Sequence, residues 1–175
     1  MVDRKYPHLF SPLKVGSLTF KNRIESAPTS LAELSAEGYL TRDNIAYYKL
    51  KAKGGAAVVT VGESIVHTPT GKSHPKQIPL DDKGVIPSLV ECADAIHQYG
   101  ALASIELSHG GMECDPIFLG GRNPIGPSAR KVDIGFRTVG ASTVEVEEMS
   151  EALMAEIADA YAEAAAPGKI AGFDM

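Results

Sequence analysis

The sequence predicts an α/β protein built on a parallel sheet, a (β/α)8 TIM barrel of which this chain carries about the first half. Three observations lead there. Apolar periodicity alternates between strand and helix along the chain, as βαβ units require. Residues 56–61, Ala-Ala-Val-Val-Thr-Val, run without polar alternation, which suits a strand covered on both faces. No GxGxxG turn follows the first strand, so the dinucleotide fingerprint of the rival open doubly wound sheet is missing. A closed barrel takes about 250 residues, and 175 are present. Three βα units and the start of a fourth strand are therefore expected, all in one domain over residues 1–175, with the edges of the first and fourth strands unpaired.

Each element has a local reason. Gly16 supplies the backbone freedom for a turn at Val15-Gly16-Ser17. Arg23 to Ala27, ended by Pro28, reads as the first core strand. Thr41 caps a helix from Arg42 to Lys53, with Asp43 in its first turn, lysines toward its end, Gly54-Gly55 to stop it, and Ile45, Tyr48 and Ala52 on its inner face. After the strand at 56–61, Pro87 opens a helix whose Leu89, Ala93 and Ile96 share a face, and Gly100 ends it. Ala101 to Leu107 is the third strand. Residues 108–148 form a Gly/Pro-rich excursion of a length that usually carries function or small elements of its own. Ser150 caps a last helix with Leu153, Ile157, Tyr161 and Ala164 inward, which Pro167-Gly168 is expected to stop. Ala171 to Met175 reads as the start of a fourth strand.

Composition excludes several classes. Seventeen Lys and Arg against 22 Asp and Glu give a net charge of −5, so the chain offers no basic stripe for nucleic acid. No apolar run approaches the roughly 20 residues of a membrane span, and Asp3, Arg4, Lys5 and His8 interrupt the place of a secretory leader. Cys92 and Cys114 have neither CxxC spacing nor a histidine cluster, so no metal site is expected. A cytoplasmic protein is the expectation.

In a barrel the chemistry sits where strands end. Three clusters fall there: Ala27-Pro28-Thr29-Ser30, Gly62-Glu63-Ser64, and Glu106-Leu107-Ser108-His109. Main-chain access, hydroxyls and a carboxyl suit a flat heteroaromatic ligand better than a metal.

Around these clusters run HLFSPLKVGSLTFKNRIESAP (8–28), YYKLKAKGGAAVVTVGES (47–64), IHQYGALASIELSHGG (96–111), GPSA (126–129) and AGFDM (171–175). In order and spacing these segments resemble the Old Yellow Enzyme family of FMN-dependent NAD(P)H:flavin oxidoreductases and ene-reductases. The resemblance implies an FMN-binding TIM barrel, with NAD(P)H as electron donor. It implies that Ala27, Pro28 and Thr29 lie against the flavin, that Ser30 meets flavin O4, and that Gly62, Glu63 and Ser64 contact the ring. Glu106 stands where most members place a Gln on the pyrimidine edge. An amide both donates and accepts, whereas an ionised carboxylate only accepts.

The wording IELSHGG is most similar to the branch with enoate, 2,4-dienoyl-CoA, bile-acid and isoflavone reductases, which implies a [4Fe–4S] cluster and an FAD module beyond residue 175. His109 is weighed equally as a substrate-side group and as a cap of the Gly-rich turn. Catalytic residues proper are expected beyond Met175. The implied reaction is reduction of an activated C=C bond by hydride from flavin N5, on a small unsaturated carbonyl or acyl substrate, in a protein that can form homo-oligomers. Two alternatives stand beside it: a non-catalytic half-barrel whose open edges pair with another chain, and an amine-dehydrogenase-like member. His67 and His74 read as solvated loop residues, Tyr47-Tyr48 as helix packing, Cys92 as a buried hydrophobe, and Cys114 as a thiol in a loop where exposure is expected.

Overall fold

A computed structural model describes residues 5–30, 33–133 and 143–175. Asp3 and Arg4, and residues 134–142 of the long excursion, lie outside them. An antiparallel hairpin comes first, β1 (Leu13–Val15) and β2 (Leu18–Phe20), turned at Gly16 with φ of 57°. The elements that follow are β3 (Glu25–Ser26), α1 (Arg42–Lys53), β4 (Val58–Val61), β5 (Ser64–Ile65), a single turn α2 (Thr68–Gly71), β6 (Ile78–Pro79), α3 (Ile86–His97) and β7 (Leu102–Ile105). The chain continues through β8 (Ile125–Gly126), β9 (Arg130–Asp133) and β10 (Thr143–Glu148) to α4 (Glu151–Ile170).

The organising sheet is β3-β4-β7, parallel throughout, with Ser26 opposite Val59 and Val61 opposite Ile105. Its three strands thus end at one level. The C-terminal residues extend it: Asp174 N–H donates to Ala103 O at 2.8 Å, and Ile105 N–H donates to Met175 O at 2.9 Å. The expected fourth strand begins there, beside β7. The architecture is a partial (β/α)8 barrel, and the described strands do not close a ring.

Alternation decides what each face meets. Val59, Val61 and Ala103 point to the helix side, where Tyr48, Ala52, Leu89, Ala93 and Ile96 complete one buried cluster. Burying a Val, Leu or Ile side chain contributes about 1.5–3 kcal/mol, and this cluster fixes α1 and α3 behind the sheet. On the opposite face Thr60 Oγ1 donates to Glu25 Oε1 at 2.9 Å. The cap at Thr41 is reciprocal: its hydroxyl accepts from Asn44 N, and Asn44 Oδ1 accepts from Thr41 N. Ser150 Oγ accepts from Leu153 N at 3.2 Å at the head of α4.

Two expectations need correction. Pro167 does not stop the last helix, which runs to Ile170 with the proline inside. Proline lacks an amide hydrogen and so forgoes one helical bond. Its carbonyl still accepts from Ala171 N at 2.9 Å. Gly168 lets that turn lie close to β7, since a Cβ there would sit 3.1 Å from Ile105 Cγ2. The helix ends instead at Ile170, capped by Ala171, and Gly172 with φ of 90° turns the chain away. Cys114 is not exposed but fully buried, its thiol directed at Thr70 O at 3.5 Å. It is covered because the excursion folds: β10 pairs antiparallel with β9 and parallel with β8, and Val144 and Val146 alternate inward. Among the described residues no helix is long and apolar enough to cross a membrane.

Candidate functional site

The register of β3, β4 and β7 brings the three predicted clusters to one end of the sheet. Glu106 N–H donates to Val61 O at 2.9 Å, which carries the pairing one residue past β7. Gly62 lies at the meeting point. A Cβ built there would overlap Glu106 Oε2 and come within 2.9 Å of Pro28 Cβ. Gly62 is buried, with Pro28 and the Glu106 carboxyl closing over it, and only a glycine fits beneath them. Ala27 to Ser30 are exposed beside it.

Tyr48 sets the position of Gly62. Its hydroxyl donates to Gly62 O at 2.9 Å and accepts from Gly62 N at 3.2 Å. Its ring is fully buried, and burial pushes the phenol far above its ordinary pKa. The sequence assigned Tyr48 to packing only, which it does; the hydroxyl is a second role that helical spacing does not announce.

Glu63 follows a cis peptide and collects three donors. His74 Nε2 lies 2.8 Å and Ser30 Oγ 3.0 Å from Oε2, while Gln77 Nε2 lies 2.6 Å from Oε1. The His74 bond, before the others, holds this carboxyl below the usual glutamate range against a desolvation that acts the other way. Gln77 is aimed by Ser73, whose N–H donates to Oε1 at 2.9 Å and whose hydroxyl accepts from Nε2 at 3.0 Å. His74 is thus no solvated loop residue: Lys76 N–H points at its Nδ1 at 3.3 Å, leaving Nε2 to donate to Glu63. Ser30, Glu63, His74, Ser108 and His109 line a cleft of about 520 Å³.

Glu106 is the opposite case. Its half-buried carboxyl makes no hydrogen bond or ion pair with any described residue. Burial first, and the charge of Glu63 second, push it above the usual range. No lysine or arginine answers it among the described residues.

Ser64 does not reach the cleft. It is fully buried, its Oγ has no partner among the described residues, and its carbonyl accepts from both Ser108 N (3.0 Å) and Ser108 Oγ (2.5 Å). Thr29 Oγ1 turns back to Ala27 O at 3.4 Å. His109 borders the cleft, yet both its ring nitrogens are engaged. Gly111 N–H donates to Nδ1 at 3.0 Å, so Nε2 carries the hydrogen and meets Thr70 Oγ1 at 2.9 Å. Thr70 in turn gives its proton to His67 Nδ1 at 2.7 Å, and His67 Nε2 stands 3.4 Å from Glu156 Oε1. His67 is therefore partly buried and bonded rather than solvated. Burial, then the neighbouring His67, holds the His109 imidazole below its ordinary pKa.

The strand ends lie in a level row with residues 27–30 exposed beside them, and the residues present are compatible with a flat ring such as a flavin. The family model described as NADH:flavin oxidoreductase / NADH oxidase matches residues 8–175, and the chain belongs to that family. An NADH oxidase of Thermoanaerobacter brockii is 30% identical over 169 residues, 97% of this chain and 25% of that protein. The probable NADH-dependent flavin oxidoreductase YqiG of Bacillus subtilis is 32% identical over 174 residues, 99% of this chain and 44% of that protein. Among solved structures, a 2-naphthoyl-CoA reductase complex superposes with a TM-score of 0.83 at 26% identity, covering 96% of this chain and 26% of that one. Histamine dehydrogenase from Rhizobium sp. 4-9 gives 0.79 at 28%, covering 98% and 24%. The Old Yellow Enzyme homologue of Zymomonas mobilis gives 0.83 at 23%, covering 96% and 47%, and shares the fold. The chain spans between about a quarter and a half of the length of these proteins.

Proposed function

We propose that residues 1–175 are the N-terminal part of a single FMN-binding barrel domain in an NAD(P)H-dependent flavin oxidoreductase that reduces an activated C=C bond. The observation that carries this reading is the convergence of Pro28, Gly62 and Glu106 at the end of three parallel strands, beside the exposed residues 27–30. FMN, when bound, supplies the hydride chemistry. The chain's own part is to hold and orient. Ala27, Pro28 and Thr29 offer main chain to one side of the ring, Gly62 leaves room for the Glu106 carboxyl beside Pro28, and Glu106 borders the ring's edge. Glu63 fixes Ser30 and keeps one negative charge in the cleft, with Ser64 buried behind it. His109, with both nitrogens engaged, shapes the substrate side of the cleft without offering a free acid or base.

The electron donor in this reading takes its support from relatives named as NADH oxidase and NADH-dependent flavin oxidoreductase. An unsaturated acyl substrate takes support from the 2-naphthoyl-CoA reductase likeness. A second reading, oxidation of an amine, rests on the histamine dehydrogenase likeness. One anaerobic experiment separates them. The protein as its gene encodes it is purified, its visible spectrum is read for bound flavin, and the flavin is challenged. Reduction by NADH or NADPH and reoxidation by an α,β-unsaturated acyl compound supports ene-reduction. Bleaching by an amine without pyridine nucleotide supports the second reading, and a colourless protein that stays colourless with added FMN overturns both. In this reading a [4Fe–4S] cluster and an FAD module belong with the longer relatives, and iron and FAD analysis of the same preparation tests for them. With Cys92 and Cys114 both free thiols, the reading places the protein in the cytoplasm.

A further inference from the structure

We propose that Glu106 meets the bound ring as a carboxylic acid, pairing with an –NH–CO– edge of a flat heterocycle, so that ligand binding takes up one proton from solvent. The proposal rests on the flavin reading for the identity of the ring, and on the surroundings of Glu106 for its chemistry.

The carboxyl lies over the α-carbon of Gly62, with Pro28 on its other side, at the level where the three strands end. A ring seated across those strand ends covers the half-buried carboxyl. The donors at the neighbouring strand end are committed elsewhere. Ser30, His74 and Gln77 all donate to Glu63, and the Tyr48 hydroxyl donates to Gly62 O. The groups facing Glu106 are a neutral phenol from α1 (Tyr48), an ionised carboxylate from the turn after β4 (Glu63), and an uncharged Pro28 after β3. On the same sheet face, Glu25 is occupied with Thr60. Every charge in this set is negative.

A carboxylate placed against a ring carbonyl sets lone pairs against lone pairs. The acid form removes the conflict, because its O–H donates to the ring C=O while its own C=O accepts the ring N–H. Two bonds then close a cyclic pair, which an ionised carboxylate cannot form. Desolvation by the incoming ring acts in the same direction, since burial without a cation disfavours the charged form. The proton comes from buffer and the ring enters neutral, so the protein side of the site loses one negative charge on binding.

The test is calorimetric titration of FMN into the flavin-free protein between pH 7 and 9, where the FMN phosphate has finished its second ionisation. It is run in phosphate and in Tris, which differ in their heat of ionisation. The expected result is a binding heat that differs between the buffers by the uptake of close to one proton. Affinity falls about tenfold per pH unit. Glu106→Gln, which keeps a donor and an acceptor at every pH, binds FMN with no buffer dependence and a flat profile.

A second measurement needs no ligand. In a carboxyl-carbon NMR titration of the flavin-free protein, the signal lost in E106Q has its midpoint above the ordinary glutamate range and above that of the signal lost in E63Q. The proposal is overturned by pH-independent binding to the wild-type protein, by a falling profile that persists in E106Q, or by a Glu106 midpoint at or below that of Glu63. Binding without proton uptake removes this proposal and leaves the flavin reading standing. Failure of both proteins to bind FMN at any pH removes the flavin reading and this proposal with it.

Discussion

Two glutamates end neighbouring strands on one rim and live in opposite circumstances. Glu63, after β4, is held by a histidine, a serine and an amide, and keeps its charge readily. Glu106, after β7, touches Gly62 and makes no bond at all among the described residues. The difference lies in what the adjoining loop delivers. Residues 73–77 fold back over the β4 end and bring Gln77 and His74 to it, whereas the segment after β7 turns its polar groups the other way. There Ser108 bonds to Ser64 O, and His109 to Thr70 and Gly111. Identical side chains thus acquire unlike protonation behaviour from loops rather than from the strands that carry them, and the rim offers one carboxyl held in its charged form and one without a bonding partner among the described residues.

The largest expected effect comes from joining the two ends. Gly62→Ala forces a methyl into Glu106 and Pro28 and costs about 3 kcal/mol, at the upper end for overpacking, read as a fall in the midpoint of chemical denaturation. Glu63→Ala strands the buried Gln77 amide and costs about 2 kcal/mol. The matching Glu106→Ala changes stability by under about 0.5 kcal/mol, as at sites without partners. Equal losses in the two alanine variants would break the contrast. Tyr48→Phe, which frees both main-chain groups of Gly62, costs about 1 kcal/mol by the same assay.

The smallest effect is in the pH profile of stability. A carboxyl held low in the fold, as Glu63 is, contributes stability that is present above the ordinary glutamate range and is lost as pH falls through its depressed value. Glu106, held high, contributes stability that is present in acid and is lost as pH rises through its raised value. Glu63→Gln therefore flattens the acid limb, and Glu106→Gln flattens the limb just above it, in thermal melts across pH 3–7.

The rim was legible because barrel strands obey a positional rule: once residues 23–27, 56–61 and 101–107 are strands, Pro28, Gly62 and Glu106 must share an end. Helix caps at Thr41 and Ser150 were equally plain, since capping is decided within four residues. What bonds to Glu63 was not, because His74 and Gln77 sit 11 and 14 residues away in a stretch without period, and only the return of that loop creates their geometry. The same reason hid the second role of Tyr48, whose partner lies 14 residues on. Pro167 misled because a proline signals helix termination on average, while here Gly168 packed on Ile105 carries the helix past it. Cys114 misled because burial in the excursion depends on β8, β9 and β10 pairing with one another.

The histidine chain under the cleft has a direction, and one amide sets it. Gly111 N–H is a donor that cannot reverse, so His109, Thr70 and His67 must all point outward toward Glu156 on α4. Turning either imidazole over would place a ring carbon against the threonine hydroxyl and break the sequence of bonds at every link. One amide of the glycine turn thereby sets the tautomer of both rings, as far as the carboxylate on the last helix.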